Sequence, residues 1–268
     1  MMRLNRIFSV WLRQFYLFRG NPSRVFSLFM WITLDIIIWG FIAKYLDTFG
    51  TFNLNFKFTF LSSIILWNFF IRIMHGVVMA FLEDVWTKNF INIFSSPISI
   101  TEYILGLVLS SIITGSIGFI IMSFLAFLLF KLFIFSFGLI LIFLIFILFL
   151  FGISLGIFSS AVVLKFGPSA EWLVWPLGSL LLPFACVFYP IHILPKYIRF
   201  ISYTIPNFYV FESLRGFIFS KNISYNLIFI GFILDLFYLI FSYFIFLNIY
   251  KKAKRSGLIL RYSAEILS

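Results

Sequence analysis

The stretch that decides how this chain folds is Phe188–Phe219, FYPIHILPKYIRFISYTIPNFYVFESLRGFIF. It is too polar to span a bilayer and too apolar to be a free loop. It holds Pro190, Pro195 and Pro206, His192, and a Glu212/Arg215 pair at helical spacing. Beside long apolar runs, such a segment reads as backbone folded back into the membrane surface. That is tolerated only where protein or water satisfies its polar groups.

The apolar runs around it set the class. Of 268 residues, 63% are hydrophobic and 11% charged, and mean hydropathy is +1.11. No soluble core needs that much apolar surface, so the chain is a polytopic membrane protein. The 42 phenylalanines fall mostly inside the runs and read as lipid-facing bulk. Six spans follow by run length, at roughly 25–45, 58–81, 103–130, 136–164, 170–189 and 225–249. The nearly continuous run from 103 to 164 is split at Lys131, with Ser136 and Gly138 completing a turn. Lys165 to Pro168 makes the next break.

Residues 1–20 do not form a span. Leu4, Phe8, Trp11, Phe15 and Phe18 recur at helical spacing, with Arg6, Ser9 and Arg13 opposite. This is the pattern of a basic amphipathic helix lying in the membrane interface. Gly20-Asn21-Pro22 breaks it before the first span. The arginine-dotted N-terminus lacks a small-residue cleavage site, so the first span is expected to act as its own insertion signal.

Lys and Arg counts orient the chain. With both termini inside, twelve cations face the cytoplasm: Arg3, Arg6, Arg13, Arg19, Arg24, Lys88, Lys165, Lys251, Lys252, Lys254, Arg255 and Arg261. Seven face out: Lys44, Lys57, Lys131, Lys196, Arg199, Arg215 and Lys221. Four of those seven lie in or just after Phe188–Phe219, where a hairpin that does not cross would keep them at the headgroups. The net charge of +11 therefore points to anionic lipid and not to nucleic acid.

Ionisable groups inside spans are costly and each is a candidate functional site. They are Asp35, Arg72 and His75 three residues apart, and Asp235. A proton relay or substrate contact is one reading; the plainer one is an inter-span ion pair of Asp35 or Asp235 with Arg72. The longest cytoplasmic connector, FLEDVWTKNFINIFSSPISITEYILG from Phe81 to Gly106, opens with Glu83 and Asp84 and places Trp86 and Phe90 on one helical face. It reads as a short amphipathic helix and a turn. His75 and His192 have no partner at metal-ligand spacing, and the single Cys186 has no local base, so no enzyme or metal centre is expected. Ser62-Ser63, Ser110-Ser111 and Ser159-Ser160 read as packing sites between spans. No G-x-x-x-x-G-K-[ST] occurs, so any ATPase is another chain.

Three segments in order resemble the permease subunits of bacterial type-2 ABC transporters, the ABC-2 exporter family. They are the interfacial helix leading through Asn21-Pro22 to LDIIIWGFIAKYL, the connector FLEDVWTKNFINIFSSPIS, and FGPSAEWLVWPLGSLLLPFACV running on through Phe188–Phe219. The pattern F-Y-P-x-x-x-L-P-x-x-x-R…P-x-x-x-x-x-E-x-x-R from Phe188 to Arg215 is the most specific of these marks. The resemblance implies an all-α membrane protein: one domain over residues 1–268, with six transmembrane helices, an N-terminal elbow helix (1–20) and a coupling segment (82–97). It also implies a re-entrant outer hairpin at 190–219, between spans 5 and 6. Glu83, Asp84, Trp86 and Phe90 would then grip a separate ATPase chain, which binds ATP and Mg while this chain carries no cofactor. Two permease chains, as a homodimer, would work with two ATPase chains in the inner membrane, both termini cytoplasmic. Arg199 and Arg215 would hold lipid phosphates or an anionic substrate at the outer mouth. The substrate class would be a lipid, glycan or hydrophobic compound. An ion-coupled secondary carrier or a non-transporting scaffold are the alternatives; the first would show internal repeats and more buried acids.

Overall fold

The computed structural model describes residues 4–48 and 54–256. Their regular structure is helical throughout, with no strand among the described residues. α1 (Leu4–Arg19) stops at Gly20, and Pro22 opens α2 (Pro22–Thr48), at a position whose N–H would have no helical partner anyway. α3 (Leu54–Trp86) runs into a turn and the short α4 (Phe90–Ser95). α5 (Ile100–Phe130) ends at Lys131, left-handed at φ 58°. α6 (Leu139–Phe166) ends at Gly167 (φ 87°) and Pro168, which cannot continue it. The breaks expected at Lys131 and before Pro168 are therefore real ones.

α3, α5, α6 and α10 (Tyr225–Arg255) have 33, 31, 28 and 31 residues. At 1.5 Å per residue they are roughly 42–50 Å long, more than the ~30 Å hydrocarbon core. Among the described residues, four helical stretches are long and apolar enough to cross a membrane: Lys57–Trp86, Ile100–Phe130, Leu139–Phe166 and Tyr225–Arg255. α3 and α6 form the buried centre, α5 and α2 lie against α3, and α10 lies against α6. Phe229, Phe237 and Phe241 of α10 and Ile120, Phe124 and Leu128 of α5 point outward. Apolar surface on that scale belongs against hydrocarbon or a partner.

The central seam is made by two glycines spaced G-x-x-x-G on α6. A Cβ on Gly152 would sit 2.9 Å from Ile73 Cγ2 and 3.1 Å from the Phe70 carbonyl oxygen. One on Gly156 would sit 2.7 Å from Val77 Cβ and 2.9 Å from the Met74 oxygen. Here the backbones of α3 and α6 touch, the close approach that small residues permit between membrane helices. Phe70 and Phe151 stack beside this contact, 5.5 Å apart and 11° from parallel. On the other face of α3, Ser111 of α5 donates to the Ile73 carbonyl at 2.6 Å.

The segment expected to be the fifth span is not one continuous helix. α7 (Glu171–Leu181) has 11 residues with Pro176 inside it. The chain then turns through Pro183 and Cys186, whose φ is 52°. Each proline lacks the N–H that would continue the ladder. The broken segment still travels along α3, because Trp175 lies on His75 (4.8 Å) and Phe188 on Phe60 (5.1 Å). Fifteen residues of α3 separate those contacts, roughly 22 Å.

α8 (Lys196–Tyr203) and α9 (Pro206–Ser220) then form a helical hairpin. Its tip lies well down the bundle: the Tyr238 hydroxyl donates to the Thr204 carbonyl at 3.0 Å. Tyr238 is thirteen residues along α10 from Tyr225, roughly 20 Å. α9 climbs back beside α10, with Tyr209 against Gly231, and reaches Phe60 again at Phe219.

Candidate functional site

Two places bring functional residues together, one at each end of α3. At the α1 end, α1 lies across the end of α3 and the start of α5. Its apolar residues Leu4, Phe8 and Phe15 face outward, while Val10 and Gln14 are buried. The stripe Arg6, Val10, Arg13, Gln14 therefore faces the protein, and the greasy stripe is left for the bilayer. Val10 sits on Gly106 of α5, where a Cβ would come within 2.5 Å.

Polar bonds flank that contact. Arg13 donates to Asp84 Oδ2 at 2.5 Å, and the Tyr103 hydroxyl donates to the same oxygen at 2.7 Å. Asp84 is 1% exposed and Tyr103 fully buried. Burial by itself disfavours the charge on Arg13, but the hydrogen bond and charge of Asp84 outweigh it and hold the proton more tightly than on a free arginine. Gln14, with its amide oriented to satisfy both partners, accepts from Arg13 at 3.1 Å and donates to Glu83 at 3.3 Å. Arg6 lies 3.6 Å from Glu102. Glu102 in turn closes a capping box with Ser99 at the start of α5, taking the Ser99 N–H at 2.8 Å.

The four residues expected to grip an ATPase separate into two groups. Asp84 is inside this network. Phe90 is 6% exposed and packs on Phe81 (5.2 Å) and Tyr103 (6.3 Å). Glu83 is half-buried and Trp86 is 40% exposed. Trp86, Thr87 and Asn92 thus form the outward surface of the connector, and Asp84 and Phe90 hold it from behind. Tyr103, Ser99, Glu102 and Gln14 escaped the sequence reading. Only the Ser99-x-x-Glu102 capping box had a local signal; the others acquire meaning from helices that meet in space.

At the opposite end, Pro190 and Pro195 are extended (ψ 157° and 144°) and set the turns into the hairpin, while Pro206 opens α9. Both hairpin arginines are engaged internally. Arg199 donates to the His192 carbonyl (2.7 Å) and the Leu194 carbonyl (2.9 Å). Arg215 donates to the Cys186 carbonyl (2.7 Å) and to Glu212 Oε2 (2.8 Å). They act first as staples across the prolines, a different arrangement from two free cations awaiting phosphate. A pocket of about 420 Å³ opens beside Arg215 between α3 and α9.

In the helical bundle, Arg72 of α3 lies within electrostatic range of Asp35 of α2. Arg72 also passes close to Gly118 of α5. His75 rests edge-on against Trp175. Asp235 is fully buried, and neither of its oxygens has a hydrogen-bond partner among the described residues.

The family model described as "ABC-2 type transporter" matches residues 5–219. That covers α1 through α9, including both ends just described. The chain belongs to the ABC-2 type transporter family. It is thus a transmembrane permease, and the ABC-2 family implies a partnership with an ABC ATPase. Domains of this family are transport components and not catalysts. No curated protein matches the chain.

Proposed function

We propose that this permease is the membrane half of an ATP-driven exporter, working as a pair of chains with two ATPase chains in the bacterial inner membrane. The observation that carries the reading is the α1 end: an exposed Trp86 on a connector that is anchored from behind by Arg13, Asp84 and Tyr103. A surface that receives force from an ATPase has to be stiff, and a buried charged network joining three helices makes it so. Closure of the ATPase pair would push Trp86, Thr87 and α4, and α3 and α5 would rock together with α1 as one body. The substrate is a lipid, a glycan or a hydrophobic compound, passing along the interface between two permease chains. ATP and Mg stay with the ATPase.

Changing Glu83 and Trp86 together to Ala is expected to weaken co-purification of the ATPase by about tenfold or more, as loss of an exposed aromatic anchor does. Unaltered ATPase binding and stimulation would refute this docking surface.

The topology we propose has both termini cytoplasmic and six crossings: α2, α3, α5, α6, the broken segment 171–189, and α10. α8 and α9 then re-enter from the outer side without crossing. Cys186 is the only cysteine and is buried, so single cysteines can be placed against a silent background. Lys196→Cys and Lys221→Cys are both expected to react with an impermeant maleimide from the outside of intact cells. Reaction from opposite sides would exclude the re-entrant arrangement.

A further inference from the structure

The pocket at the hairpin end has an unusual wall. Phe60, Phe188 and Phe219 supply aromatic surface, and Glu212 and Arg215 supply one charge of each sign, held 2.8 Å apart. Arg215 is 8% exposed, and its Nε–H is buried without a hydrogen-bond partner among the described residues, although its other nitrogens are engaged. An unmet charged donor is costly to bury, so a ligand acceptor here has something to gain. Glu212 is 30% exposed at its side chain and accepts from Arg215 through Oε2. At about 420 Å³ the cavity falls in the size range of small-molecule sites.

We propose that this pocket binds a phosphoethanolamine headgroup. A paired Glu and Arg present no net charge, so neither a plain anion nor a plain cation is favoured over water. A zwitterion is different, because each of its ends meets the opposite sign. The phosphate oxygen takes the Nε–H of Arg215, once a small turn of the guanidinium brings that buried donor to the cavity wall. The primary ammonium donates to Glu212 and lies over the aromatic faces. A trimethylammonium headgroup could use the rings but has no N–H for Glu212. The site is at the far end of α3 from Asp84, so it does not rest on ATP coupling.

The test uses the full chain purified in nanodiscs or mild detergent, with lipid retention read by native mass spectrometry. Phosphatidylethanolamine is expected to be retained about tenfold over phosphatidylcholine and phosphatidylglycerol, the size of one added charge-assisted contact. Glu212→Gln leaves Arg215 its backbone bonds but uncompensated, and should reverse the preference toward phosphatidylglycerol. Gly216 also lines the pocket, and a Cβ there would meet only Ser224 Oγ at 3.7 Å. Gly216→Leu should therefore fold and lose the preference by filling the pocket. Soluble glycerophosphoethanolamine separates the two sources of this chemistry: competition means the headgroup suffices, and its failure with the preference intact means the acyl chains belong to the site. Equal retention of the three lipids by the wild-type protein overturns the assignment. So does a wild-type preference in either variant.

Discussion

Arg13→Ala is expected to destabilise the protein by about 3 kcal/mol, the lower end of what breaking a buried ion pair costs. The reason is what the change leaves behind. Asp84 is 1% exposed and has Arg13 and the Tyr103 hydroxyl on a single oxygen. Without Arg13, an uncompensated carboxylate sits where three helices meet. Arg13 is 27% exposed at its side chain, so water reaches the gap and keeps the loss from being larger. The double change Arg13→Met with Asp84→Leu should recover most of the stability, because a well-packed apolar pair carries no desolvation penalty. The measurement is thermal unfolding of purified single and double variants as a double-mutant cycle. Strict additivity of the two single changes would show that the pair is not coupled. In the complex, Arg13→Ala should also lower substrate-stimulated ATP hydrolysis at temperatures where the protein is still folded, since the connector carrying Trp86 loses its brace.

Gly156→Leu is expected to prevent folding, and Gly156→Ala to lower stability by about 1–3 kcal/mol through overpacking. The added Cβ would fall 2.7 Å from Val77 Cβ and 2.9 Å from the Met74 carbonyl oxygen. A carbonyl on a buried helix cannot rotate aside as a flexible side chain can, so α3 and α6 must separate. Gly152→Ala should behave similarly against Ile73 and Phe70. Gly216→Ala is the control, since its Cβ would meet nothing closer than 3.7 Å. Expression and thermal midpoint of the three alanine variants, measured side by side, check the ranking. A Gly156→Ala protein as stable as Gly216→Ala would mean the central seam is looser than its geometry.

Much was legible in one dimension because a bilayer reads composition. Long apolar runs must become helices, since no other segment satisfies its own backbone in hydrocarbon. Proline, glycine and lysine at 22, 131, 167 and 168 marked where those helices stop. The family pattern of Phe188–Arg215 and the outward apolar stripe of α1 were legible as well. Which polar groups would meet was not legible. Arg13 and Asp84 are 71 residues apart, and Asp84, beside Glu83 in a polar connector, read as part of an outward-facing grip. Only the packing of α1 on α3 and α5 turned it inward.

Phe188–Phe219 divides in the same way. Its composition alone predicted a broken, membrane-associated segment, because prolines remove donors that hydrocarbon cannot replace and its apolar residues need cover. The tertiary structure decided what its charges do. Arg199 and Arg215 looked like a pair of free cations, yet carbonyls of the same turn region lie within reach once the hairpin folds. Held beside those carbonyls, each guanidinium donates to them. Glu212 and one remaining N–H of Arg215 are what that packing leaves for a ligand.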